Sequence, residues 1–333
     1  MDRYDRQVKF PPFGQQGQQK LQKLHAFIIG VGALGSGIAE QLVRSGIKKL
    51  TIVDKDIVSL TNLHRQSGYT EADVEEMMPK VFALKKRLVA MNHEVEIDPL
   101  NEEITARNII GILEEVKPDI VLDGLDQFET RYLINEATRQ LNIPYIYGAV
   151  IGSQVSVFPI DQDGPCLHCV MPDVPETMES CDVYGVLPPA VHLASSFVVS
   201  ELFYYLMHDT FSYTMVTTDI FKGTMRRTSI QSLKEEDCAV CGQHIYQRLA
   251  QTKLDEIRLL CGGVYQIRLK ADYFEAPLQE EVSTLIQNPF IKRLRYKDYD
   301  MTLYQDGRLL IYNVDNSEYA KEMIPYIFKS VHQ

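Results

Sequence analysis

Residues 27–35 read FIIGVGALG, and this stretch decides how the rest of the chain is interpreted. Its wholly apolar first three residues are typical of a buried parallel strand, and the residues after it carry apolar side chains at helical spacing. Gly30, Gly32 and Gly35 lie in the turn between them, where glycine lets the backbone bend sharply and approach a phosphate group. The helix start that follows offers free N–H groups. The stretch predicts a nucleotide-binding turn, with tight packing of strand on helix as the purely structural alternative.

Short apolar strands and amphipathic helices alternate after this turn. We predict strands at 50–53, 120–122 and 145–147, and helices at 33–45, 79–91 and 129–140. This alternation is typical of a doubly wound, Rossmann-like α/β sheet that is parallel in the N-terminal half. Residues 153–160 alternate as an antiparallel strand does, so the sheet is predicted to become antiparallel beyond about residue 150.

The second half of the chain has a different texture. A Pro-rich stretch over about 172–190 predicts a long loop, and residues 191–207 predict a strongly apolar helix. We predict a domain boundary between residues 249 and 250, with a small α+β domain over 250–333. In this domain the region 291–312 predicts strands joined by an Asp-Gly turn, and 317–329 predicts a closing helix.

The composition and net charge of the chain limit the kinds of protein that it can be. The 333 residues are 45% hydrophobic and 24% charged, as in an ordinary globular protein. The net charge of −11 argues against broad binding to nucleic acid or to an anionic membrane, because both require a basic face. Neither a membrane-spanning run nor the apolar core of a signal peptide is found in the sequence, so a cytoplasmic protein is expected.

Polar residues follow the predicted strands at positions where ligands of such sheets bind. Asp54 ends the second strand, where a carboxylate can accept hydrogen bonds from ribose hydroxyls. Amide and cationic groups suited to a triphosphate, and a carboxylate suited to Mg²⁺, occur further along. They are Asn62, Arg65, Gln66, Lys80 and Asp126. Taken singly, each is better interpreted as a solvated surface residue, but together they favour phosphoryl or nucleotidyl transfer.

The six cysteines suggest a metal site and one candidate nucleophile. Two CxxC pairs, Cys166 with Cys169 and Cys238 with Cys241, supply four thiolates and predict a closed, structural Zn²⁺ site. Redox-active or inert pairs are the alternative. Cys181 lies in a polar segment and is a nucleophile only if its pKa is lowered, which the sequence does not reveal.

These motifs, in this order, resemble one family: the ThiF/MoeB-type adenylyltransferases of molybdopterin and thiamine biosynthesis, relatives of the ubiquitin-activating enzymes. The resemblance covers about two-thirds of the chain, from Arg3 to Cys241. It is carried by Arg3-Tyr4-Asp5-Arg6-Gln7, the glycine turn, Val53-Asp54, Asn62-Leu63-x-Arg65-Gln66, Pro79-Lys80, Asp123-Gly124-x-Asp126, Glu129-Thr130-Arg131, both CxxC pairs and Cys181-x-x-x-Gly185-Val186.

The resemblance implies ATP as cofactor and a ubiquitin-like sulfur carrier ending in Gly-Gly as protein substrate. By this resemblance, Asp54 would bind the ribose, and Asn62, Arg65 and Lys80 would contact the phosphates. Asp126 would serve Mg²⁺ and the reacting carboxylate. Arg6 matches an arginine that relatives insert into the partner subunit's ATP site, which implies a homodimer. Cys181 matches a sulfur-handling cysteine of some members, and residues 1–249 would form the adenylation domain.

Some features depart from this family, and other functions remain open. Gln127 replaces a common asparagine, and residues 75–78 lack the glycine-containing turn that is common before Lys80. Residues beyond 250 do not resemble a sulfurtransferase domain, so a separate sulfur donor is expected. The alternatives are an NAD-linked oxidoreductase, adenylation of a peptide carboxylate, and a non-catalytic scaffold.

Overall fold

The computed structural model describes residues 3–172, 185–251, 256–260 and 263–329. The chain divides into two compact units, Met1–Thr252 and Lys253–Gln333. The sequence placed the boundary three residues earlier, between 249 and 250. Each unit has its own cluster of buried apolar side chains.

The first unit is built on an eight-stranded sheet with the order β3-β2-β1-β4-β5-β6-β7-β8. Strands β1 to β5 are parallel to their neighbours, whereas β5 to β8 pair antiparallel. The predicted change of sheet character near residue 150 is therefore confirmed. The strands are β1 His25–Ile29, β2 Lys49–Val53, β3 Glu96–Leu100, β4 Ile120–Asp123, β5 Tyr145–Ile151, β6 Gln154–Ile160, β7 Thr214–Asp219 and β8 Thr224–Ser229.

Helices cover both faces of this sheet. Strands β1 to β3 are added toward one edge of the sheet, and β4 and β5 are added on the other side of β1. Because crossover connections are right-handed, this reversal places α3 and α5 on one face and α6 and α7 on the other. In chain order, the described helices of this unit are α1 Asp5–Val8, α2 Gly14–Leu21, α3 Ala33–Ser45, α4 Glu71–Glu75, α5 Lys80–Met91, α6 Ile109–Val116, α7 Phe128–Leu141, α8 Leu167–Val170, α9 Pro188–His208 and α10 Gln247–Ala250.

The long apolar helix α9 is a core helix. By length and composition alone it could cross a membrane, whereas the sequence analysis predicted no membrane-spanning run. It packs on β5, β6 and α3, and its side chains at Val191, Val198 and Leu202 are buried there. It starts three residues earlier than predicted because Pro188 suits the first turn of a helix, where no N–H donor is required.

The second unit is a six-stranded antiparallel sheet with the order β11-β12-β13-β14-β10-β9. Its strands are β9 Ile257–Leu260, β10 Val264–Arg268, β11 Val282–Gln287, β12 Ile291–Tyr296, β13 Tyr299–Tyr304 and β14 Arg308–Ile311. The predicted single helix over 317–329 is wrong. The chain forms α11 Ser317–Glu322 and α12 Ile324–Ile327, because Pro325 lacks the N–H that a continuous helix requires.

Candidate functional site

The glycine turn joins β1 to α3 at the carboxyl edge of the parallel sheet. Gly30 has φ +81°, a conformation that disfavours any side chain. A Cβ at Gly35 would collide with the carbonyl oxygen of Gly30, so the helix can approach the turn only with glycine there. Gly32 precedes the first residue of α3 and no side chain caps this helix start, which leaves its N–H groups suited to a phosphate.

Asp54 follows β2 and is tied to the glycine turn. One carboxylate oxygen accepts a hydrogen bond from Val31 N at 2.8 Å, and the other accepts one from Asp56 N at 2.8 Å. Burial raises the pKa of Asp54, against the opposing effect of the Lys80 charge. Each oxygen keeps a second lone pair, so the carboxylate is still able to accept from ribose hydroxyls.

Lys80 is a buried cation at the start of α5. Its Nζ lies 3.0 Å from Asp56 Oδ2, and only 5% of the residue is exposed. Burial lowers its pKa, but the carboxylates of Asp54, Asp56 and Asp126 outweigh that effect and raise the pKa above its ordinary value. Lys80 is therefore charged at neutral pH, as a phosphate-binding lysine must be.

The segment after β2 folds over the glycine turn. The Tyr69 hydroxyl donates to Val31 O at 2.6 Å, and the buried Gln66 amide lies beside Gly32. Gln66 Oε1 has no hydrogen-bond partner among the described residues, so a polar ligand would satisfy it. Arg65 donates to Asn62 Oδ1 at 3.0 Å, which holds its guanidinium within this segment.

Asp126 lies exposed in the loop after β4, next to the glycine turn. A Cβ at Gly124 would collide with the carbonyl oxygen of Gly30, so the two loops interlock through their glycines. The Asp126 charge contributes to raising the pKa of Lys80 and that of Arg131. The glycine turn, Asp54, Lys80 and Asp126 thus converge at the ends of β1, β2 and β4, where ligands of doubly wound sheets bind.

Asp123 and Arg131 hold the Asp126 loop, and the sequence analysis gave them no role. Asp123 is 0% exposed and Arg131 is 3% exposed, and Arg131 Nε donates to Asp123 Oδ2 at 2.9 Å. Arg131 also donates to the carbonyl oxygens of Leu125 and Gly148. Asp123 Oδ1 in turn accepts from Leu125 N at 2.8 Å. Two of the quoted motifs contain these residues, but only the tertiary structure reveals that they form a buried pair.

Replacing Arg131 with methionine is expected to destabilise the protein by about 3–5 kcal/mol, because Asp123 would become an unpaired buried charge. Urea denaturation measures this change. The matched control is Arg44→Met, which removes an exposed i,i+4 pair with Glu40 and should cost less than about 1 kcal/mol. Equal losses in the two variants would contradict the positioning role of the pair.

One of the predicted catalytic residues, Arg6, is not part of this cluster. Cys181 lies outside the described residues. Arg6 is exposed on α1, which is anchored at the far ends of α3 and α5: Tyr4 packs on Gly46, and its hydroxyl accepts from Asn92 Nδ2 at 2.9 Å. Because α3 has 13 residues, the glycine turn of the same chain lies about 20 Å away from that anchor.

The two CxxC pairs form one buried cluster. Their four sulfur atoms, from Cys166, Cys169, Cys238 and Cys241, all lie within 4.8 Å of one another. Three of the separations are 3.9, 3.7 and 3.4 Å. Zn–S bonds of about 2.3 Å in a tetrahedron would place sulfur atoms about 3.8 Å apart. The cluster therefore fits a tetrahedral Zn²⁺ ion with no open coordination position.

Comparisons with known proteins agree in both sequence and fold. Residues 4–240 match the model of the ThiF family. The chain is 35% identical over 330 residues to the sulfur carrier protein ThiS adenylyltransferase of Bacillus subtilis, covering 96% of this chain and 97% of that protein. It is 32% identical over 275 residues to the sulfur carrier protein adenylyltransferase of Thermus thermophilus, covering 79% and 97% respectively.

Two further matches cover a smaller share of the matched protein. The adenylyltransferase and sulfurtransferase MOCS3 of Aedes aegypti is 33% identical over 248 residues, which covers 73% of this chain and 55% of that protein. Among solved structures, Escherichia coli MccB with ATP superposes with a TM-score of 0.61 at 20% identity, covering 72% of this chain and 74% of that chain. This likeness supports the same fold.

Proposed function

The chain belongs to the ThiF family, and we propose that it is an ATP-dependent adenylyltransferase acting on a ubiquitin-like sulfur carrier that ends in Gly-Gly. The convergence of a phosphate-binding turn, a buried cation and a carboxylate at one sheet edge carries this proposal. The names of the relatives from Bacillus subtilis and Thermus thermophilus support the carrier as substrate. The product would serve thiamine or molybdopterin biosynthesis.

In the proposed reaction, a carboxylate oxygen of the carrier attacks the α-phosphorus of ATP. The bond from this phosphorus to the oxygen that bridges to the β-phosphate breaks, and pyrophosphate leaves with the electron pair. The products are carrier-AMP and pyrophosphate. Lys80 and Arg65 would neutralise the charge on the phosphates, and the N–H groups at the start of α3 would bind them.

Asp126 would hold Mg²⁺, and its exposed carboxylate next to a buried lysine supports this assignment. When bound, the ion would screen the phosphate oxygens from the incoming carboxylate. Asp54 would hold the ribose, and Asn62 would fix the position of Arg65. We assign Zn²⁺ to the four-cysteine cluster as a structural ion.

Other functions would use fewer of the residues that converge at this site. An NAD-linked oxidoreductase would use the glycine turn and Asp54, but it would leave Lys80 and Asp126 without a role. A peptide carboxylate as substrate involves the same chemistry, and only the relatives' names favour the carrier. For sulfur we propose a separate donor protein: the sequence beyond residue 250 does not resemble a sulfurtransferase domain, and the described residues of this unit form an antiparallel sheet.

ATP–pyrophosphate exchange tests the proposed activity. We expect exchange that depends on a Gly-Gly-terminated carrier from the source organism and disappears when the carrier's terminal carboxylate is amidated. A parallel titration with NADH should show no binding. Lack of exchange with every such carrier would refute the function.

We also propose that the enzyme is a homodimer in which Arg6 acts on the ATP site of the partner. The distance of about 20 Å between the anchor of α1 and the chain's own glycine turn supports this arrangement, because an arginine side chain reaches only about a third of that distance. The dimer would be a soluble enzyme of the cytoplasm, without nucleic-acid or membrane partners.

Mixed dimers measure whether Arg6 acts in trans. Arg6→Ala and Asp126→Ala proteins should each be inactive, whereas co-refolding them in equal amounts should restore about a quarter of the wild-type activity, because half of the dimers are mixed and each contains one intact site. Unmixed variants at the same concentration are the control. A mixture that stays inactive, although mixed dimers are detected by mass spectrometry, would show that Arg6 does not act across the dimer.

A further inference from the structure

Asn135 on α7 contacts the segment that carries the first two cysteines of the four-cysteine cluster. Its Oδ1 accepts a hydrogen bond from Leu167 N at 2.9 Å, and Leu167 lies between Cys166 and Cys169. Asn135 is 0% exposed, so this contact is shielded from water. One face of α7 is therefore held against the turn between these two cysteines.

Two buried donors on this face of α7 have no acceptor. Asn135 Nδ2 and Arg139 Nε lack a hydrogen-bond partner among the described residues, and only 6% of Arg139 is exposed. Because the two residues are four positions apart, their side chains are neighbours on the helix surface. Buried polar atoms are nearly always paired, since desolvation without a compensating interaction is costly. Two unsatisfied donors at neighbouring positions indicate an electron-rich group nearby.

Arg139 is also a buried cation without a carboxylate partner. In the part of the chain that the structure describes, its guanidinium donates to the backbone carbonyl of Asp161 and forms no ion pair. The Asp161 carboxylate accepts from the Tyr213 hydroxyl instead, and that of Glu136 accepts from two backbone N–H groups at the start of α10. An arginine stays charged when it is buried, so another group must balance its charge.

The four-cysteine cluster would balance this charge when it holds Zn²⁺. Four thiolates around one divalent ion leave an excess of negative charge, and all four cysteines are buried. Burial raises the pKa of the Tyr246 hydroxyl, and the charges of Arg139, Glu136, Cys166 and Cys241 also act on it. The Tyr246 hydroxyl is therefore within electrostatic reach of both the arginine and the sulfur atoms. A buried positive charge and a buried negative cluster thus share one region of the protein interior.

We propose that Arg139 is the counter-charge of the metal-bound cluster and that the contact of Asn135 with Leu167 holds the arginine-bearing face of α7 against it. This inference rests on the proposed zinc site. The arginine stabilises the negatively charged metal complex more than the metal-free, neutral thiols, because its charge attracts only the former. Arg139 is thus a positioning residue that raises the affinity for Zn²⁺ without touching the ion.

Zinc affinity of matched variants tests this role. Arg139→Gln removes the charge but keeps an N–H donor for the Asp161 carbonyl, whereas Arg139→Lys keeps the charge. In competition with a chelator of known affinity, Arg139→Gln should bind Zn²⁺ about 10- to 100-fold more weakly than wild type, as residues that support metal ligands typically contribute that factor. Arg139→Lys should recover most of this loss.

The control for damage to the neighbouring segment is Lys234→Met. Lys234 is exposed, and its Nζ donates to the backbone carbonyls of Gln162 and Asp163, the two residues after Asp161. The variant therefore removes a cation that is bonded to the same segment but is in contact with solvent. Its zinc affinity should stay within about 3-fold of wild type, because solvent screens exposed charges.

Spectra of the Co²⁺-substituted proteins separate an electrostatic role from a packing role. A nearby positive charge lowers the energy of the sulfur lone pairs, so Arg139→Gln should move the sulfur-to-cobalt charge-transfer band to longer wavelength, and Lys234→Met should leave it in place. An unshifted band, or a zinc affinity of Arg139→Gln equal to that of wild type, would overturn the inference. Wild-type protein that binds no Zn²⁺ would instead refute the zinc site itself, so the two failures are distinguishable.

Discussion

Replacing Asp126 with asparagine is expected to reduce carrier adenylation by about three orders of magnitude, because charge neutralisation and positioning supply most of the catalysis in nucleotidyl transfer. Asparagine keeps the size of the side chain but loses the negative charge that would hold Mg²⁺. The protein should remain folded, since Asp126 is exposed and the loop is held by Asp123 and Arg131.

Single-turnover formation of carrier-AMP measures the effect, and binding of ATP by calorimetry separates chemistry from affinity. The matched control is Glu114→Gln, which removes an exposed carboxylate near the end of α6, at the opposite edge of the sheet. Its rate should stay within about 2-fold of wild type, because exposed charges far from the site are screened. A rate for Asp126→Asn within 10-fold of wild type would exclude Asp126 as a catalytic residue.

Disrupting the four-cysteine cluster is expected to have a large effect on stability. The cluster joins segments 72 residues apart, so one ion would tie the residues after β6 to those after β8. Structural zinc contributes folding free energy directly, and three buried thiols would remain after a single substitution. We expect Cys238→Ala to lower the unfolding temperature by at least about 10 °C, since a loss of a few kcal/mol shifts Tm by that amount in a domain of this size.

Metal analysis tests the same point without a substitution. Protein purified without added zinc should contain about one ion per chain, and Cys238→Ala should contain far less. His168→Ala is the matched control: His168 lies between the two cysteines of the first pair, yet the four sulfur atoms complete the tetrahedron without it. Wild-type protein that is free of metal and as stable as the metal-bound form would refute the zinc site.

The sequence predicted well those helices and strands whose apolar residues repeat at a regular period. Helix α3 matches its predicted bounds, 33–45, because its apolar residues repeat at the helical period and glycines mark its start. Strand β3 was missed, since Glu96 and Asp98 make its pattern polar and Pro99 disfavours a central strand. Its edge position explains the proline, because an edge strand leaves one side of its backbone without a partner in the sheet.

In the candidate site, too, some features were predicted from the sequence and others are seen only in the structure. Glycine spacing and the order of the motifs predicted that the glycine turn, Asp54, Lys80 and Asp126 meet at one edge of the sheet, because the carboxyl ends of parallel strands lie there. The buried pair of Asp123 and Arg131 and the contact of Tyr69 with Val31 depend on burial and on distant partners. No local pattern in the sequence encodes these contacts.

The sequence by itself determined the parallel and antiparallel halves of the sheet, the glycine turn, and the cysteines suited to zinc. Periodicity, backbone freedom at glycine and ligand chemistry are local properties, and they can be read without coordinates. Only the tertiary structure decided that Arg6 lies at the far end of α3 from its own glycine turn and that the end of β3 lies beside the end of β2. These placements follow from strand order and helix length, which bring residues together or keep them apart independently of their distance along the chain.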